Sequence, residues 1–400
     1  MHTFGKYRFD SFLCVFILLL YPLFIREQLI GAGFKLQYLL NFIFIIISIY
    51  GLIKFKVTIT KSGRTLLLFV MWMVAVLFMG FLTNFQADNS SLEVPAFFAI
   101  NPDGELAESY FNQGDIYINA MYIGRMIVFI PLSFILGCSI KKIEPMVLKR
   151  IIWIFMIISL IFVSYDYLVK GMSRSNGLYD NPQDMSAIIL FYTALFLCIT
   201  KDKRSIFLLC ITAFFIIMMT GTRSSLLVLC ILIFLKNKPN LLLLISLLVT
   251  VFVSLVVPSY LSAIHNIEIT SMSSTIVRLK LWGDYLIPRI AENILLGVGT
   301  VPVVTENLLL FLLFVFGSIG TVIFTLFLYR LWKYTKYSNG VTLILSVIIC
   351  QSVYFMGLLS LDNIVVTFFV LGFISKFSNQ KNIDAQMITP VKKDNNCLQR

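Results

Sequence analysis

Long apolar runs recur along the whole of this 400-residue chain and constrain its fold more than any other feature. A run of about 18 to 20 apolar residues spans the hydrocarbon core of a bilayer when it is helical. Charged residues make up 13% of the chain, against roughly 25% in soluble domains. Because lipid cannot bond to exposed backbone groups, spanning segments are helical or form a closed barrel. Length and apolar character together predict an all-α, polytopic integral membrane protein.

We predict about 12 transmembrane helices in a single transmembrane domain, 1–376, followed by a polar cytoplasmic tail, 377–400. Both termini then lie in the cytoplasm. The predicted external loops are two long ones, 84–117 and 259–303, and a shorter one, 170–183. The predicted spans are 11–26, 35–53, 65–83, 118–139, 151–169, 184–200, 205–221, 222–236, 240–258, 304–330, 340–360 and 362–376.

The charge distribution sets the orientation of these spans. Of the 32 Lys and Arg residues, about 23 fall on the predicted inner side and about 9 on the outer side. Acidic residues show the reverse bias, with about 5 inside and about 15 outside. Inverting the topology would break the positive-inside rule at nearly every loop. The net charge of +12 is mostly this inner excess, so nucleic acid is not a predicted partner.

Most of the outer cations are arginines beside or inside apolar segments, where a charge is costly. An Arg such as Arg223, between two apolar runs, costs roughly 2.5–3.5 kcal/mol on insertion scales and therefore needs a polar cavity or a partner. Its planar guanidinium matches phosphate oxygens in bidentate fashion. Snorkelling or an ion pair with an external acid is the structural alternative. The arginines of this group are Arg125, Arg174, Arg223, Arg278 and Arg289.

Other polar residues complete the candidate site. Pro182 is predicted to open a helix whose N-terminus faces outward, close to Arg174 and Asn181. Glu306 begins the tenth predicted span, either as a helix-end charge or as a base for an attacking hydroxyl. The stretch from Ser274 to Ile287 resembles an amphipathic interfacial helix, whose cations alternatively bind lipid headgroups. The candidate catalytic residues are Arg223, Arg278, Arg289 and Glu306; the candidate substrate-binding residues are Arg125, Arg174, Asn181 and Lys280.

Several reaction classes are disfavoured by the residues present. The two histidines, His2 and His265, have no neighbours at metal-ligand spacing. The sequence contains no phosphate-binding P-loop, no GxGxxG fingerprint and no Ser-His-Asp pattern. The seven cysteines form no CxxC pair and read as small packing residues. We therefore expect no cofactor and no metal.

Four ordered motifs between about residues 120 and 330 resemble the bacterial superfamily of O-antigen polymerases (Wzy type) and O-antigen ligases. A loop before a helix comes first, and a small-residue turn with Arg at a helix start comes second. The third and fourth lie around the second long loop and the tenth span. The motifs are Arg174-Ser-Asn-Gly-Leu-Tyr-Asp-Asn-Pro, Gly221-Thr-Arg-Ser-Ser-Leu-Leu, Val277-Arg-Leu-Lys-Leu-Trp with Asn293-Ile-Leu-Leu-Gly-Val-Gly299, and Glu306-Asn-Leu-Leu-Leu with Phe316-Gly-Ser-Ile-Gly320.

The resemblance implies an inverting, metal-independent glycosyltransferase at the periplasmic face of a bacterial inner membrane. Its donor would be an oligosaccharide on undecaprenyl pyrophosphate, and its partners would be membrane lipids and a protein that regulates chain length. Ligases of this superfamily typically carry His-Asn where this chain has Glu306-Asn307, which favours the polymerase branch. Two alternatives remain: a ligase that transfers glycan to lipid A–core, and a flippase or transporter of lipid-linked repeat units.

Overall fold

A computed structural model describes residues 2–24, 29–30, 34–54, 59–84, 116–140, 144–172, 174–179, 181–263, 279, 282–299, 307–334, 339–351, 360 and 363–376. The predicted tail, 377–400, and most of the predicted loop 84–117 lie outside these residues. The regular secondary structure of the described residues is helical apart from one antiparallel pair of two-residue strands, β1 (Leu29–Ile30) and β2 (Phe34–Lys35). The predicted all-α fold class is confirmed.

Short connections join several neighbouring helices, such as those from α6 to α9. In chain order they are α1 (His2–Val15), α2 (Leu36–Lys54), α3 (Lys61–Asn84), α4 (Ile116–Ser139), α5 (Pro145–Ser164), α6 (Pro182–Ile199), α7 (Lys203–Thr220), α8 (Arg223–Leu235), α9 (Pro239–Val251), α10 (Ile287–Glu292), α11 (Leu308–Tyr334), α12 (Asn339–Gln351) and α13 (Ile364–Lys376). Extensions in π-helical or short α-helical form are Phe16–Leu20 and Tyr21–Leu23 after α1, Tyr165–Val169 after α5, Phe252–Val256 and Val257–Ala263 after α9, and Trp282–Leu286 before α10.

Local sequence explains several helix ends. Proline occupies the first turn of α5, α6 and α9, where its missing N–H leaves no bond unmade. Asp202 caps α7 by accepting from the backbone N–H groups of Arg204 and Ser205. Hydrogen bonds from Ser205, chiefly from its hydroxyl, hold the pKa of Asp202 below its usual value. Gly221 ends α7 in the left-handed conformation, φ 64°.

Six helical segments are long and apolar enough to cross a membrane, as judged by length and composition in the described residues. They coincide with six of the predicted spans. Six shorter apolar helices coincide with the other six. The long segments are Lys61–Gly80, Pro145–Val169, Pro182–Ile199, Lys203–Thr220, Pro239–Tyr260 and Leu308–Tyr334; the shorter ones are Phe9–Leu23, Tyr38–Ile53, Ile123–Ser139, Arg223–Leu235, Asn339–Gln351 and Ile364–Ser375.

The outside of the bundle is apolar, as expected of a chain solvated by lipid. Phe234 is 88% exposed and Ile53 is 82% exposed. Inside the bundle, buried hydroxyls bond to the carbonyl four residues earlier, as Ser48 does to Phe44. An apolar exterior around internally bonded polar groups is what a helical membrane protein requires.

Helices α4 and α13 pack so closely that only glycine fits at their contact. A Cβ on Gly137 would lie 2.0 Å from the Phe369 carbonyl oxygen, and one on Gly372 would lie 2.0 Å from the Phe134 carbonyl oxygen. The Cys138 thiol donates to the Gly372 carbonyl at 3.3 Å. Small residues at a helix contact favour this packing in membranes.

Hydrogen bonds join helix ends that alternate crossing would place on the same side. At one end of the bundle, Arg330 donates to the Thr65 hydroxyl at 2.6 Å and Cys198 to the Gly340 carbonyl at 3.4 Å. At the other end α6 and α8 begin, and the Ser175 N–H donates to the Met219 carbonyl at 3.0 Å. We call the latter the α6/α8 end. It carries the candidate site.

Helix α11 is broken at Gly317, which has φ 65° and ψ −173°. Non-helical backbone inside an apolar helix is tolerated when other protein groups bond to it. Asn293–Gly299, which the sequence places in the external loop 259–303, packs along α11 at the break. We call this segment the interlocking segment. The span predicted at 304–330 is continuous, so the break was not predicted from the sequence.

The interlocking segment satisfies the backbone on both sides of the break. The N–H groups of Val298 and Gly299 donate to the Phe314 and Val315 carbonyls at 2.6 and 3.2 Å. Beyond the break, the Ser318 and Ile319 N–H groups donate to the Ile294 and Leu295 carbonyls at 2.7 and 3.4 Å. The Trp72 indole N–H, from α3, donates to the Phe316 carbonyl at 2.9 Å. The segment, α11 and α3 are therefore bonded together.

Candidate functional site

Asp166 fixes the loop that carries Arg174. Its carboxylate is fully buried and accepts from the Lys170 ammonium at 2.7 Å. It also accepts from the Ser175 hydroxyl at 3.4 Å and from the Gly177 N–H at 3.2 Å. Lys170 precedes Arg174 in the chain, and Ser175 and Gly177 follow it. A buried carboxylate with several donors thus holds the loop against the end of the α5 extension, and the Ser175 N–H bond to the Met219 carbonyl joins the loop to α7.

Replacing Asp166 with Asn should destabilise the protein by about 2–3 kcal/mol, because a charged acceptor is lost while its donors stay buried. Lys170→Ala should cost about 1 kcal/mol or less, since the Lys170 side chain is 41% exposed. Thermal unfolding of the purified variants in detergent measures both. Equal losses from the two variants would contradict the assigned role of Asp166.

Arg174 packs on the turn between α7 and α8. Its Nε donates to the Thr220 carbonyl at 3.4 Å. Its Cγ lies 3.0 Å from where a Cβ on Gly221 would be. The remainder of the guanidinium faces outward, since the side chain is exposed.

Arg223 is the first residue of α8, two residues after Gly221. Two residues of chain span at most about 7 Å, so Arg174 and Arg223 lie at the same corner. Both side chains are exposed, and within the described residues neither is in an ion pair. We call these two residues the arginine pair.

Two helix N-termini lie beside the arginine pair. Asn181 caps α6, its side-chain oxygen accepting from the Gln183 N–H at 2.9 Å. Thr222, at the start of α8, makes no capping bond; its hydroxyl pairs with that of Thr220 at 2.9 Å instead. The first N–H groups of α8 therefore have no side-chain cap. Helix N-termini carry partial positive charge, so this corner favours an anion.

Two other predicted site residues belong to other helices than the arginine pair. Arg125 is half-buried in α4, with its guanidinium 5.7 Å from the centre of the Tyr38 ring on α2, a cation–π contact. Arg289 lies half-buried in the last turn of α10, directly before the interlocking segment. Asn181, predicted to bind substrate, acts as a helix cap. Arg278, Lys280 and Glu306 lie outside the described residues.

A group of buried polar side chains that joins three helices was not predicted from the sequence. We call it the amide–serine cluster: Ser186, Ser225 and Gln351. The Ser186 and Ser225 hydroxyls lie 2.8 Å apart, and Ser225 donates to the Gln351 side-chain oxygen at 3.3 Å. Its members come from α6, α8 and α12. Because α12 carries no recognised motif, the sequence offers no signal for the cluster.

Some buried side-chain atoms near this end of the bundle have no hydrogen-bond partner in the described part of the chain. They are the side-chain oxygen of Gln183, the side-chain nitrogen of Gln351 and the hydroxyl of Ser360. Gln351 is only 8% exposed. Each such buried group costs about 1–3 kcal/mol, which a hydrogen-bonding ligand would offset.

The corner can therefore bind an anion at its surface. Two guanidinium groups and uncapped backbone N–H groups supply donors for phosphate oxygens. Within the described ranges, no group of three or more His, Cys, Asp or Glu side chains is placed to hold a metal ion. No known protein-family model matches this chain, and no curated protein is similar to it.

Proposed function

We propose that this chain is a surface-polysaccharide polymerase, a glycosyltransferase that joins lipid-linked repeat units. Its donor is a glycan on undecaprenyl pyrophosphate, the substrate class that the O-antigen polymerase resemblance implies. The observation that supports the proposal most is the arginine pair, exposed at one corner beside two helix N-termini. Guanidinium groups and helix N-termini donate hydrogen bonds to phosphate oxygens, so this corner suits a pyrophosphate.

In the proposed reaction, a sugar hydroxyl of one lipid-linked unit attacks the anomeric carbon of another. The new bond forms from the hydroxyl oxygen to that carbon, and the bond from the carbon to the pyrophosphate oxygen breaks. The hydroxyl proton goes to a base, for which Glu306 remains the candidate. Negative charge develops on the leaving pyrophosphate, where fixed guanidinium groups stabilise it.

We assign Arg223 and Arg174 to the leaving group. We assign Arg278, Arg289 and Lys280 as contacts to the substrate from the second long loop. Arg125 is assigned as a contact to the substrate from α4. Asn181 contributes by capping α6, which fixes the helix end beside the pair. The reaction as proposed needs neither metal nor cofactor. A chain-length regulator is the expected protein partner.

The proposed topology has 12 spans, with both termini in the cytoplasm of a bacterium and the α6/α8 end at the periplasmic face of its inner membrane. Two observations support it. The six long and six shorter apolar helices match the predicted spans in number and position. The positive-inside rule places the α6/α8 end outside, because the inner loops carry most Lys and Arg residues.

One observation favours a transporter of lipid-linked units as the second candidate. The broken helix α11 is a feature of many transporters, in which half-helix ends bind the substrate. Here the backbone groups at the break are already bonded to the interlocking segment and Trp72. Because those groups are occupied, we rank the transporter below the polymerase.

The test is the lipopolysaccharide banding pattern of a strain deleted for the gene. Core with a single repeat unit is the expected result, since ligation continues without polymerisation. Unsubstituted core with polymer left on the lipid carrier would identify a ligase. Unsubstituted core with repeat units held on the cytoplasmic face would identify a flippase. An unchanged ladder would exclude a role in O-antigen synthesis.

A further inference from the structure

Three cations, Lys61, Arg64 and Arg330, lie together where α3 begins and α11 ends. The Arg330 guanidinium donates to the Thr65 hydroxyl at 2.6 Å. The Lys61 ammonium lies 5.3 Å from the centre of the Tyr334 ring, one turn after Arg330 on α11. Arg64 directly precedes Thr65 in the chain, and its side chain is exposed. We call these three cations the basic corner. It lies at the end of the bundle opposite the α6/α8 end.

The basic corner carries positive charge that no nearby acid balances. Among the described residues, none of its three cations is in an ion pair. Residues 28–87, which include the whole of α3, contain no Asp or Glu, and α11 contains none either. The positive-inside rule explains why cations are frequent at this end of the bundle. Three cations at one contact between two acid-free helices, however, also make this corner suitable for an anion.

An apolar groove lies between α3 and α4 next to the basic corner. It is lined by Ile59, Gly63 and Leu67 on one side and by Pro131, Phe134 and Ile135 on the other. Its open volume is about 260 Å³, and its exposed walls are wholly apolar. A Cβ on Gly63 would lie 3.0 Å from the Phe134 ring, so a side chain at this position would narrow the groove.

The corner and the groove are continuous along α3. Arg64 directly follows Gly63, a distance of about 3.8 Å between Cα atoms. Leu67 lies six residues beyond Lys61, which corresponds to about 9 Å along the helix axis. The groove is open to the outside of the bundle, where Ile59 is 44% exposed. A ligand with an anionic head and an apolar chain can therefore contact both at once.

This combination distinguishes a phospholipid from a soluble anion. A soluble phosphate can bind to the cations but has no part that fills an apolar groove. An acyl chain buries apolar surface in the groove while its phosphate stays at the membrane boundary, among the cations. Basic pockets between membrane helices bind anionic lipid headgroups in this way.

We propose that the basic corner and the groove bind one anionic phospholipid from the membrane leaflet on that side. Arg64 and Lys61 contact the phosphate, and part of one acyl chain lies in the groove. Arg330, held by the Thr65 hydroxyl, adds to the positive potential at the corner. The inference does not depend on the proposed function, because the residues lie at the opposite end of the bundle from the candidate site.

Native mass spectrometry of the purified full-length protein in detergent tests the proposal, because it resolves the binding of single lipid molecules. The ligands are phosphatidylglycerol, phosphatidylcholine with the same two acyl chains, and glycerol phosphate, which has the phosphate but no chain. The first variant is Lys61→Gln/Arg64→Gln. Two further variants, Leu67→Phe and Ile135→Phe, each fill the groove from one wall.

Lys203→Gln/Arg204→Gln is the matched control. Both side chains are exposed and lie in the first turn of α7, at the same end of the bundle as the basic corner. The control removes the same two charges from residues that do not line the groove. It therefore separates an effect of this corner from an effect of total charge on that side of the protein.

Wild type should bind phosphatidylglycerol more tightly than phosphatidylcholine and should bind glycerol phosphate weakest. Lys61→Gln/Arg64→Gln should bind phosphatidylglycerol about twenty-five-fold more weakly, about fivefold for each cation near the phosphate. The control should keep the wild-type affinity. Leu67→Phe and Ile135→Phe should each weaken phosphatidylglycerol binding with every charge retained. Because Lys61 and Arg64 are exposed, their double variant should melt at the wild-type temperature in the absence of lipid.

Four results would overturn the inference. Equal wild-type affinity for the two lipids would mean that the headgroup charge is not recognised. Equal affinity for phosphatidylglycerol and glycerol phosphate would identify a site for soluble anions. The same loss in the control as in Lys61→Gln/Arg64→Gln would show that the charges act over the whole side of the protein. Unchanged phosphatidylglycerol affinity in both groove variants would mean that the chain does not lie in the groove.

Discussion

Replacing Arg223 with Ala should reduce polymer formation by roughly a hundredfold, the scale seen when a charge-stabilising donor is removed from an active site. Arg223 is exposed and, among the described residues, makes no ion pair, so folding should change by about 0.5 kcal/mol or less. Arg223→Lys should restore part of the activity, because an ammonium keeps the charge but loses the bidentate geometry. Complementation of the deletion strain, read on a lipopolysaccharide gel, measures polymer formation by both variants. The melting temperature of the purified Arg223→Ala variant measures the effect on folding.

Arg204→Ala is the matched control for this prediction. Arg204 is also exposed and also lies in the first turn of its helix, α7, but at the opposite end of the bundle. Its loss should leave the ladder intact. A full ladder from Arg223→Ala, with the variant present at wild-type level, would mean that Arg223 has no role in the site.

Gly317→Ala should strongly destabilise the protein. The backbone conformation there, φ 65° and ψ −173°, is one that only glycine adopts readily. A Cβ would also lie 2.2 Å from the Leu295 carbonyl oxygen, inside the interlocking segment. Strain and overlap together should cost at least about 3 kcal/mol. Yield of monodisperse protein and melting temperature are the readouts.

Gly171→Ala separates strain from overlap. Gly171 has the same φ of 65°, but a Cβ there meets nothing within 4 Å. Replacing it with Ala should lower the free energy of unfolding by about 1 kcal/mol, because only the strain of the left-handed backbone conformation is added. If Gly317→Ala were as mild as Gly171→Ala, the segment and α11 would not be locked together.

The apolar runs predicted the helices well because membrane-scale hydrophobicity is a local property of the chain. The break at Gly317 was not predicted, because it depends on contacts between residues that are distant in the sequence. Glycine is common in membrane helices, and nothing near Gly317 in sequence reveals that Ile294 and Leu295 bond across the break. The third participant, Trp72, is 244 residues away from its acceptor Phe316.

The sequence predicts part of where the candidate site residues lie in the bundle. Arg174 and Arg223 lie in short motifs beside helix starts, so alternate crossing alone places them at the same end. Asn181 caps α6, and its place in the motif does not distinguish this role from the predicted contact with substrate, because a cap and a ligand contact use the same kind of residue. The Gln351 contact to Ser225 spans 126 residues and depends on tertiary packing.

The central claim is that the arginine pair acts on the pyrophosphate of a lipid-linked glycan. It is tested most directly with protein in liposomes, given lipid-linked repeat units from the deletion strain, with EDTA and without nucleotide. Wild type should lengthen the glycan and release undecaprenyl pyrophosphate, and the Arg174→Ala/Arg223→Ala variant should do neither while remaining monodisperse. Polymer formed equally by both proteins, or by neither, would contradict the claim.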